Sequence, residues 1–437
     1  MFRSTKDEYD LKEIENFIEE HRKQVERYQK LQRYYQGQHD ILQTRRERGK
    51  PNYKLVNAYP RYIVDMLVGY FVGQSIRYSN KADGKDKDLE KIIESFDYAD
   101  EAAHNLELAK TCSIKGKGFE ILYTDSFSKP RLACIQPDEM FAVYGDSIEN
   151  LMKYAVRYYG IKVNGKSVRK IEIYTKDKIY YYKQSDNTMT LEREQVHYFG
   201  DVPVVEYKNN QEELGDFEHV LSLVDAYDLA QSNTINDMEQ FTDAYLMLVN
   251  LSGTEDKDID KMKKDRVLLL NEKGQAGWLV KEVNDAWVEN YKTRLKQDIH
   301  KFSATPDMTD KEFGSNLSGV SLRYKLLAME QVRASKERKF RNGLQRRLEL
   351  FFAILKITKS IDEYTDIEIS FSNTLPQNVY ELSQTIQNLL PIVSKETLLS
   401  QLPFIASAKD EIEKYQAESI GLDEYNNLQE DEHEQIE

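Results

Sequence analysis

The run Asp201-Val202-Pro203-Val204-Val205-Glu206-Tyr207-Lys208-Asn209-Asn210, followed by Asp216-Phe217-Glu218-His219-Val220, decides how this chain is read. Valine and tyrosine after Pro203 mark a short strand, because proline cannot donate to a ladder and sits at a strand's first position or edge. Asp216 can then cap a helix whose apolar positions Val220, Val224, Tyr227, Ile235, Met238, Phe241, Tyr245 and Leu248 share one face. Carried unbroken over residues 216–250, that helix reaches about 50 Å. Residues 251–264 are short and charged. Residues 266–270 and 277–283 read as two strands around Asn271-Glu272-Lys273-Gly274, and 286–302 is helical again. Residues 305–319 are the longest expected loop, and 320–355 form a second long helix with Leu322, Leu326, Met329, Val332, Phe340, Leu344, Leu348 and Phe351 on its apolar side. A strand at 367–371 and two helices lead to about Ser419. The last residues, including Glu430, Asp431, Glu432, Glu434 and Glu437, read as an acidic disordered tail.

Toward the N-terminus, residues 6–48 are a charged helical pattern interrupted by Gly37 and by Gly49-Lys50-Pro51. Residues 59–73 are apolar almost all round, which implies a buried helix. Residues 80–87 read as a polar loop and 88–114 as a third helical stretch. From Phe119 to Tyr207 the period changes to two. The segments 155–159, 170–174, 178–182 and 196–199 are rich in β-branched and aromatic residues, with Asn164-Gly165 and Ser185-Asp186-Asn187 as hairpin turns. The expected product is an antiparallel meander lying on helices, and the fold class is α+β. No internal repeat of fixed period occurs.

With 437 residues and 40% hydrophobic content the chain can bury a substantial core, and its length fits two to four domains. A net charge of -14 argues against a basic nucleic-acid clamp, because affinity for phosphate comes from Lys and Arg. Cys112 and Cys134 are read as reduced thiols. The charged start Met1-Phe2-Arg3-Ser4-Thr5-Lys6-Asp7-Glu8 lacks the apolar core of a signal peptide, and no run approaches the ~18 apolar residues of a membrane span, so the chain is expected to be made in the cytosol.

Catalytic signatures fail one by one. Seven histidines are scattered, with no pair at the i, i+4 spacing of a helical zinc site. Gly116-Lys117-Gly118 lacks the rest of a phosphate loop and reads as a turn. Asp256, Asp258 and Asp260 imitate the opening of a calcium loop, yet Lys261 stands where glycine must turn the chain and Val267 where a bidentate glutamate is needed. No Gly-x-Ser-x-Gly elbow occurs, and Cys112 has no local signature around it. Neither catalytic residue, metal nor cofactor is expected. One electrostatic feature remains. Arg333, Lys336, Arg338, Lys339, Arg341, Arg346 and Arg347 crowd one helix of an acidic chain, and they read as a solvated face or inter-subunit ion pairs before direct DNA contact.

The order of these elements resembles that of tailed-phage portal proteins, closest to portals of siphophages that infect Gram-positive hosts. The stretches carrying the resemblance include Asn57-Ala58-Tyr59-Pro60-Arg61, Gly69-Tyr70-Phe71-Val72-Gly73, the run 202–210, Asp225-Ala226-Tyr227-Asp228, Asn236-Asp237, Phe241-Thr242-Asp243-Ala244, Thr305-Pro306-Asp307-Met308, Ser318-Gly319-Val320 and Thr374-Leu375-Pro376. The resemblance implies a ring, typically of twelve subunits, at one capsid vertex, through which double-stranded DNA is packaged and ejected. It implies a wing of helices and antiparallel strands over 1–215, a stem helix over 216–250, a small α/β clip over 251–283, and a second stem helix over 284–304. A tunnel loop follows at 305–319, then a long helix and return to the wing over 320–371, a helical crown over 372–420 and the tail over 421–437. DNA-facing positions would be Asp307, Asp310, Glu312, Phe313, Gly314, Asn316, Leu317 and Gly319, and the clip carboxylates Asp256, Asp258 and Asp260 would serve docking. Implied partners are the terminase large subunit, a head-completion adaptor, and the major capsid and scaffolding proteins, in the virion and, during assembly, in the host cytoplasm; no membrane is implied. The alternatives are a DNA-processing enzyme of a mobile element or another ring-forming head-to-tail connector.

Overall fold

The computed structural model describes residues 1–6, 8–45, 51–80, 86–163, 165–185, 188–241, 245–249, 257, 275–279, 285–309, 319–355, 364–372 and 379–399, with single positions and short runs between 402 and 416. The chain divides into two compact units. The first comprises Met1–Gln29, Val64–Asp216 and Thr305–Glu437, and the second Lys30–Ile63 and Phe217–Ala304. Among the described residues no helix is long and apolar enough to cross a membrane.

The first unit is built on a six-stranded sheet. Its strands are β1 (Phe2–Arg3), β5 (Met140–Tyr144), β6 (Met152–Val163), β7 (Lys166–Tyr174), β8 (Lys178–Ser185) and β9 (Thr188–Val196), in that order across the sheet. All neighbours are antiparallel except β1 with β5. Alternation along the strands sends Phe141, Tyr154, Val156, Ile171 and Ile173 to one face, where they bury Ile14 and Ile18 of helix α1 (Leu11–Tyr35). The opposite set, Met140, Ala142, Ala155, Tyr174 and Ile179, packs on Phe119, Ile121, Val202 and Val204. These last belong to, or lead into, a three-stranded sheet ordered β10 (Val204–Lys208), β3 (Lys117–Thr124), β4 (Pro130–Ile135). The ladders of the two distal hairpins extend to the Val163–Lys166 and Ser185–Thr188 pairs.

The expected meander is therefore present, but its last strand is 188–196 rather than 196–199, because the hairpin register carries the polar run Thr188 to Gln195 into the ladder. The helical stretch 88–114 is two helices, α3 (Asp86–Ala99) and α4 (Glu101–Lys115). Asp100 between them takes φ 54°, a left-handed state that aspartate tolerates and that ends a helix. Gly116 closes α4 at φ 88°, and a Cβ there would lie 1.9 Å from the carbonyl oxygen of Glu213, so no side chain fits. Helix α2 (Tyr59–Val72) runs as expected, and β2 (Arg77–Asn80) pairs with a strand near the C-terminus, β13 (Ile367–Ser370).

In the second unit, the expected unbroken helix over 216–250 is corrected. A 3-10 turn at Glu218–Val220 precedes α5 (Leu221–Phe241), and Tyr245–Val249 is a strand, β11, paired antiparallel with β12 (Gln275–Leu279). Tyr-Leu-Met-Leu-Val is apolar enough to extend either pattern, and the cross-strand partner decides between them. The strand expected at 266–270 lies outside the described residues. Helix α6 (Asp285–Phe302) packs on α5.

Helix α7 (Gly319–Leu355) returns to the first unit at the expected place, with Phe340, Leu344, Leu348 and Phe351 buried. Two further helices, α8 (Val379–Leu389) and α9 (Lys395–Leu399), follow β13.

Candidate functional site

Helix α7 carries the basic run, and six of its seven basic residues find partners inside the chain. The Arg347 guanidinium, fully buried, donates to Glu120 at 3.0 and 2.5 Å, to Glu101 Oε1 at 2.7 Å and to Asn105 Oδ1 at 2.8 Å. His104 Nε2 lies 2.7 Å from Glu120 Oε2, and the Tyr78 and Tyr207 hydroxyls donate to Glu101 and Glu120. Eleven residues earlier, within about 20° of the same helix face, Lys336 donates to Asn209 Oδ1 at 2.7 Å and to Asp216 Oδ2 at 2.5 Å. Asp216 also accepts from the Ser113 hydroxyl and from Asn209 Nδ2. Between the two anchors Gly343 faces the Tyr207 ring, and a Cβ there would come within 2.3 Å of it. Helix α7 is thus bolted to α4, β3 and β10 at two buried charged points with an aromatic contact between them.

This placement corrects the expectation for Lys336 and Arg347, whose charges face neither solvent nor a neighbour. Arg333 pairs with Glu330 and Glu337, Arg341 with Glu337 and the Ile369 carbonyl, Arg346 with Asp201 and Glu349, and Lys339 with Gln211. Arg338 is exposed. Burial opposes a charge on Glu120, yet the Arg347 guanidinium and His104 outweigh it and hold the carboxyl down at about 2. Burial likewise opposes charge on Arg347, and Glu120 keeps it protonated throughout. A comparable cluster lies at the start of β3, where Lys117 meets Glu206 and Glu213. Burial raises the Glu213 carboxyl, but Lys117 and Lys208 bring it down to about 2.

Within the second unit, helix α5 holds an extended segment by its backbone. Asp228, Ser232 and Asn236, all buried, recur every four residues. Asp228 Oδ1 accepts from the Asn57 N–H at 2.8 Å, Ser232 Oγ from the Leu55 N–H at 2.9 Å, and Asn236 Oδ1 from the Tyr53 N–H at 2.7 Å. Four residues of helix rise about 6 Å and two of strand about 6.6 Å, so the two repeats match. Asn236 Nδ2 also donates to the Tyr53 carbonyl. The other oxygen of Asp228 lies 2.5 Å from His39 Nδ1, His39 stacks on Tyr34 at 4.6 Å, and the Tyr34 hydroxyl donates to Asp225. Asn57, Asp225, Asp228 and Asn236 were singled out in the sequence by resemblance alone. The contacts give each of them a physical task.

Of the expected tunnel-loop residues, Asp307 is described: its Oδ1 accepts from the Thr309 N–H at 3.0 Å and the Thr309 hydroxyl at 2.6 Å. Gly319 is the first residue of α7. Asp310, Glu312, Phe313, Gly314, Asn316 and Leu317 lie outside the described residues, as do Asp256, Asp258 and Asp260. Among the described residues no group of three or more His, Cys, Asp or Glu side chains is placed to hold a metal ion. Sequence reading missed Glu101, His104 and Glu120. The available signal was Glu120 itself, a lone carboxylate inside the apolar strand Phe119-Glu120-Ile121-Leu122.

A helix bolted by buried charge, a backbone-clamping helix and a small two-stranded sheet are scaffold features, so comparison with known proteins carries the assignment. A family profile described as "Phage portal protein, SPP1 Gp6-like" matches residues 14–424. The chain belongs to this family of phage portal proteins. It is 26% identical over 444 aligned residues to the portal protein of Bacillus phage SPP1, covering 94% of this chain and 87% of that one. It is also 23% identical over 318 residues to the portal protein of Clostridium phage phiCD119, covering 68% of this chain and 69% of the other. Both relatives come from phages of Gram-positive hosts, the group that the resemblance singled out.

Proposed function

We propose that copies of this chain form a ring, typically of twelve, at one capsid vertex, and that double-stranded DNA passes through its channel during packaging and ejection. The observation carrying this reading is the family match over residues 14–424. The exposed apolar side chains of the second unit support assembly: Leu229 and Met238 on α5 and the stacked pair Trp287 and Tyr291 on α6 are 44–66% exposed in the single chain. In this reading α5 and α6 are the stem, the β11–β12 pair belongs to the clip, 305–319 is the tunnel loop, 1–215 with α7 builds the wing, and the crown begins near 372. The clip docks the terminase large subunit during packaging and a head-completion adaptor afterwards, while outer surfaces meet capsid and scaffolding proteins. The protein acts as a conduit rather than a catalyst. Copies at -14 each make an acidic assembly that repels phosphate, so DNA slides without sticking. Negative-stain imaging of the purified protein tests the reading: rings with a central channel are expected, and particles without rings under every assembly condition would refute it.

A further inference from the structure

Two turns of the first unit display apolar side chains that their own chain leaves uncovered. Between β3 and β4, Asp125 Oδ1 accepts from the backbone N–H groups of Phe127 (2.9 Å) and Lys129 (3.0 Å). Backbone bonds join Asp125 N to Lys129 O and Ser128 N to Asp125 O, and the Tyr98 hydroxyl donates to Asp125 Oδ2 at 2.8 Å. Ser128 is held at φ 59°. The one large side chain that this tightly held turn sends outward is Phe127, 77% exposed. A rigid aromatic has little freedom left to lose on binding, which favours it as an interface anchor. Lys129 and Arg131 lie beside it over the face of Tyr98, 4.3 and 4.9 Å from the ring centre, with no carboxylate at ion-pair distance among the described residues.

The turn between β5 and β6 has the opposite character. It is closed by Gly145 N to Leu151 O at 2.9 Å and pinned by Arg3 on Asn150 Oδ1 at 2.9 Å. Ile148 is 98% and Leu151 64% exposed. Asp146 and Glu149 beside them have no cation at ion-pair distance among the described residues. The two turns lie toward opposite ends of the three-stranded sheet. The first extends beyond the Thr124–Pro130 pair, whereas Tyr144, just before the second, bonds Glu206, which pairs with Phe119 five residues from Thr124.

We propose that the 125–131 turn of one copy docks on the 145–151 turn of a second copy of this chain. Phe127 packs on Ile148 and Leu151, and Lys129 and Arg131 face Asp146 and Glu149. Arg131 also donates to the Tyr98 carbonyl at 2.5 Å, which fixes its guanidinium without neutralising it. The occupant is a second copy because cations beside an aromatic and carboxylates beside aliphatics, neither in an ion pair among the described residues, are carried by one sequence, and complementary potentials select such partners. The contact uses a different patch on each partner, the kind that repeats around a ring. It rests on the ring reading above. The test is a Phe127→Cys, Ile148→Cys double variant, mildly oxidised. Native Cys112 is buried and Cys134 half-buried, and the two single variants set the background. The double variant should give a reductant-sensitive ladder of cross-linked subunits, and a mixture of the single variants dimers only. Phe127→Ala should weaken assembly about tenfold or more, the loss expected of a central anchor, while Phe127→Leu retains most of it. Rings seen by native mass spectrometry without a ladder overturn this docking and leave the portal reading intact. Failure of the unmodified chain to assemble overturns both.

Discussion

Replacing Arg347 with methionine would leave the Glu101 and Glu120 carboxylates buried without their cation, which typically costs about 3–5 kcal/mol. Urea unfolding of Arg347→Met should show that loss, and a change near zero would mean that α7 is held by packing alone. The same cluster sets an acid dependence. The Glu120 carboxyl is held near 2 in the folded chain against an ordinary 4.5, so the folded state binds fewer protons than the unfolded one. Its contribution, roughly 3 kcal/mol at most, is complete above pH ~4.5 and disappears as pH falls toward 2. Glu213 shifts in the same direction, with a smaller effect because it is partly exposed. Unfolding midpoints at pH 7, 4 and 2.5 should therefore decline steeply, and Glu120→Gln should flatten that decline while lowering stability at pH 7. Gly343→Ala forces a methyl against the buried Tyr207 ring and should cost about 1–3 kcal/mol by the same measurement, the usual range for overpacking a core. None of these roles can be read from α7 alone, because Arg347 and Arg338 look alike in the sequence. Carboxylates hundreds of positions away, on α4 and β3, decide which one is buried.

Elements were legible where periodicity was long and consistent. The pattern over 320–355 gave helix α7 to within one residue at its start, and the 286–302 pattern gave α6 equally well. The error at 245–249 has a definite cause: a five-residue apolar run carries no period of its own, and its strand state comes from pairing with Gln275–Leu279. The clamp on 51–57 was invisible for a related reason. An extended segment whose N–H groups bond side chains shows no alternation and no turn signal. Its anchors, however, make a clear prediction. Asn236→Ala removes both bonds to the Tyr53 peptide, so amide exchange at Tyr53 should rise at least about tenfold while α5 stays protected. Uniform loosening of α5 would instead show that Asn236 supports the helix and not the segment.

For the whole molecule, the ring reading predicts a mass distribution dominated by one closed oligomer in mass photometry once assembly conditions are met, and a channel that tolerates little local linkage. Cysteines at Asn316 and a facing position, oxidised in the assembled ring, should stop DNA packaging and release it on reduction; unimpaired packaging by verified cross-linked rings would remove the 305–319 loop from the mechanism. Charge reversal at Asp256, Asp258 and Asp260 should impair terminase and adaptor docking with the ring intact. The sequence by itself determined the α+β class, the long helix over 320–355, the meander and the family, because hydrophobic period and residue order are local properties that survive at 26% identity. Only the tertiary structure decided where α5 ends, which cations of α7 are buried, and what Asn57, Asp228 and Asn236 hold. Each of those depends on a partner far along the chain, and a charge, a strand or a buried amide has no settled role until that partner is within bonding distance.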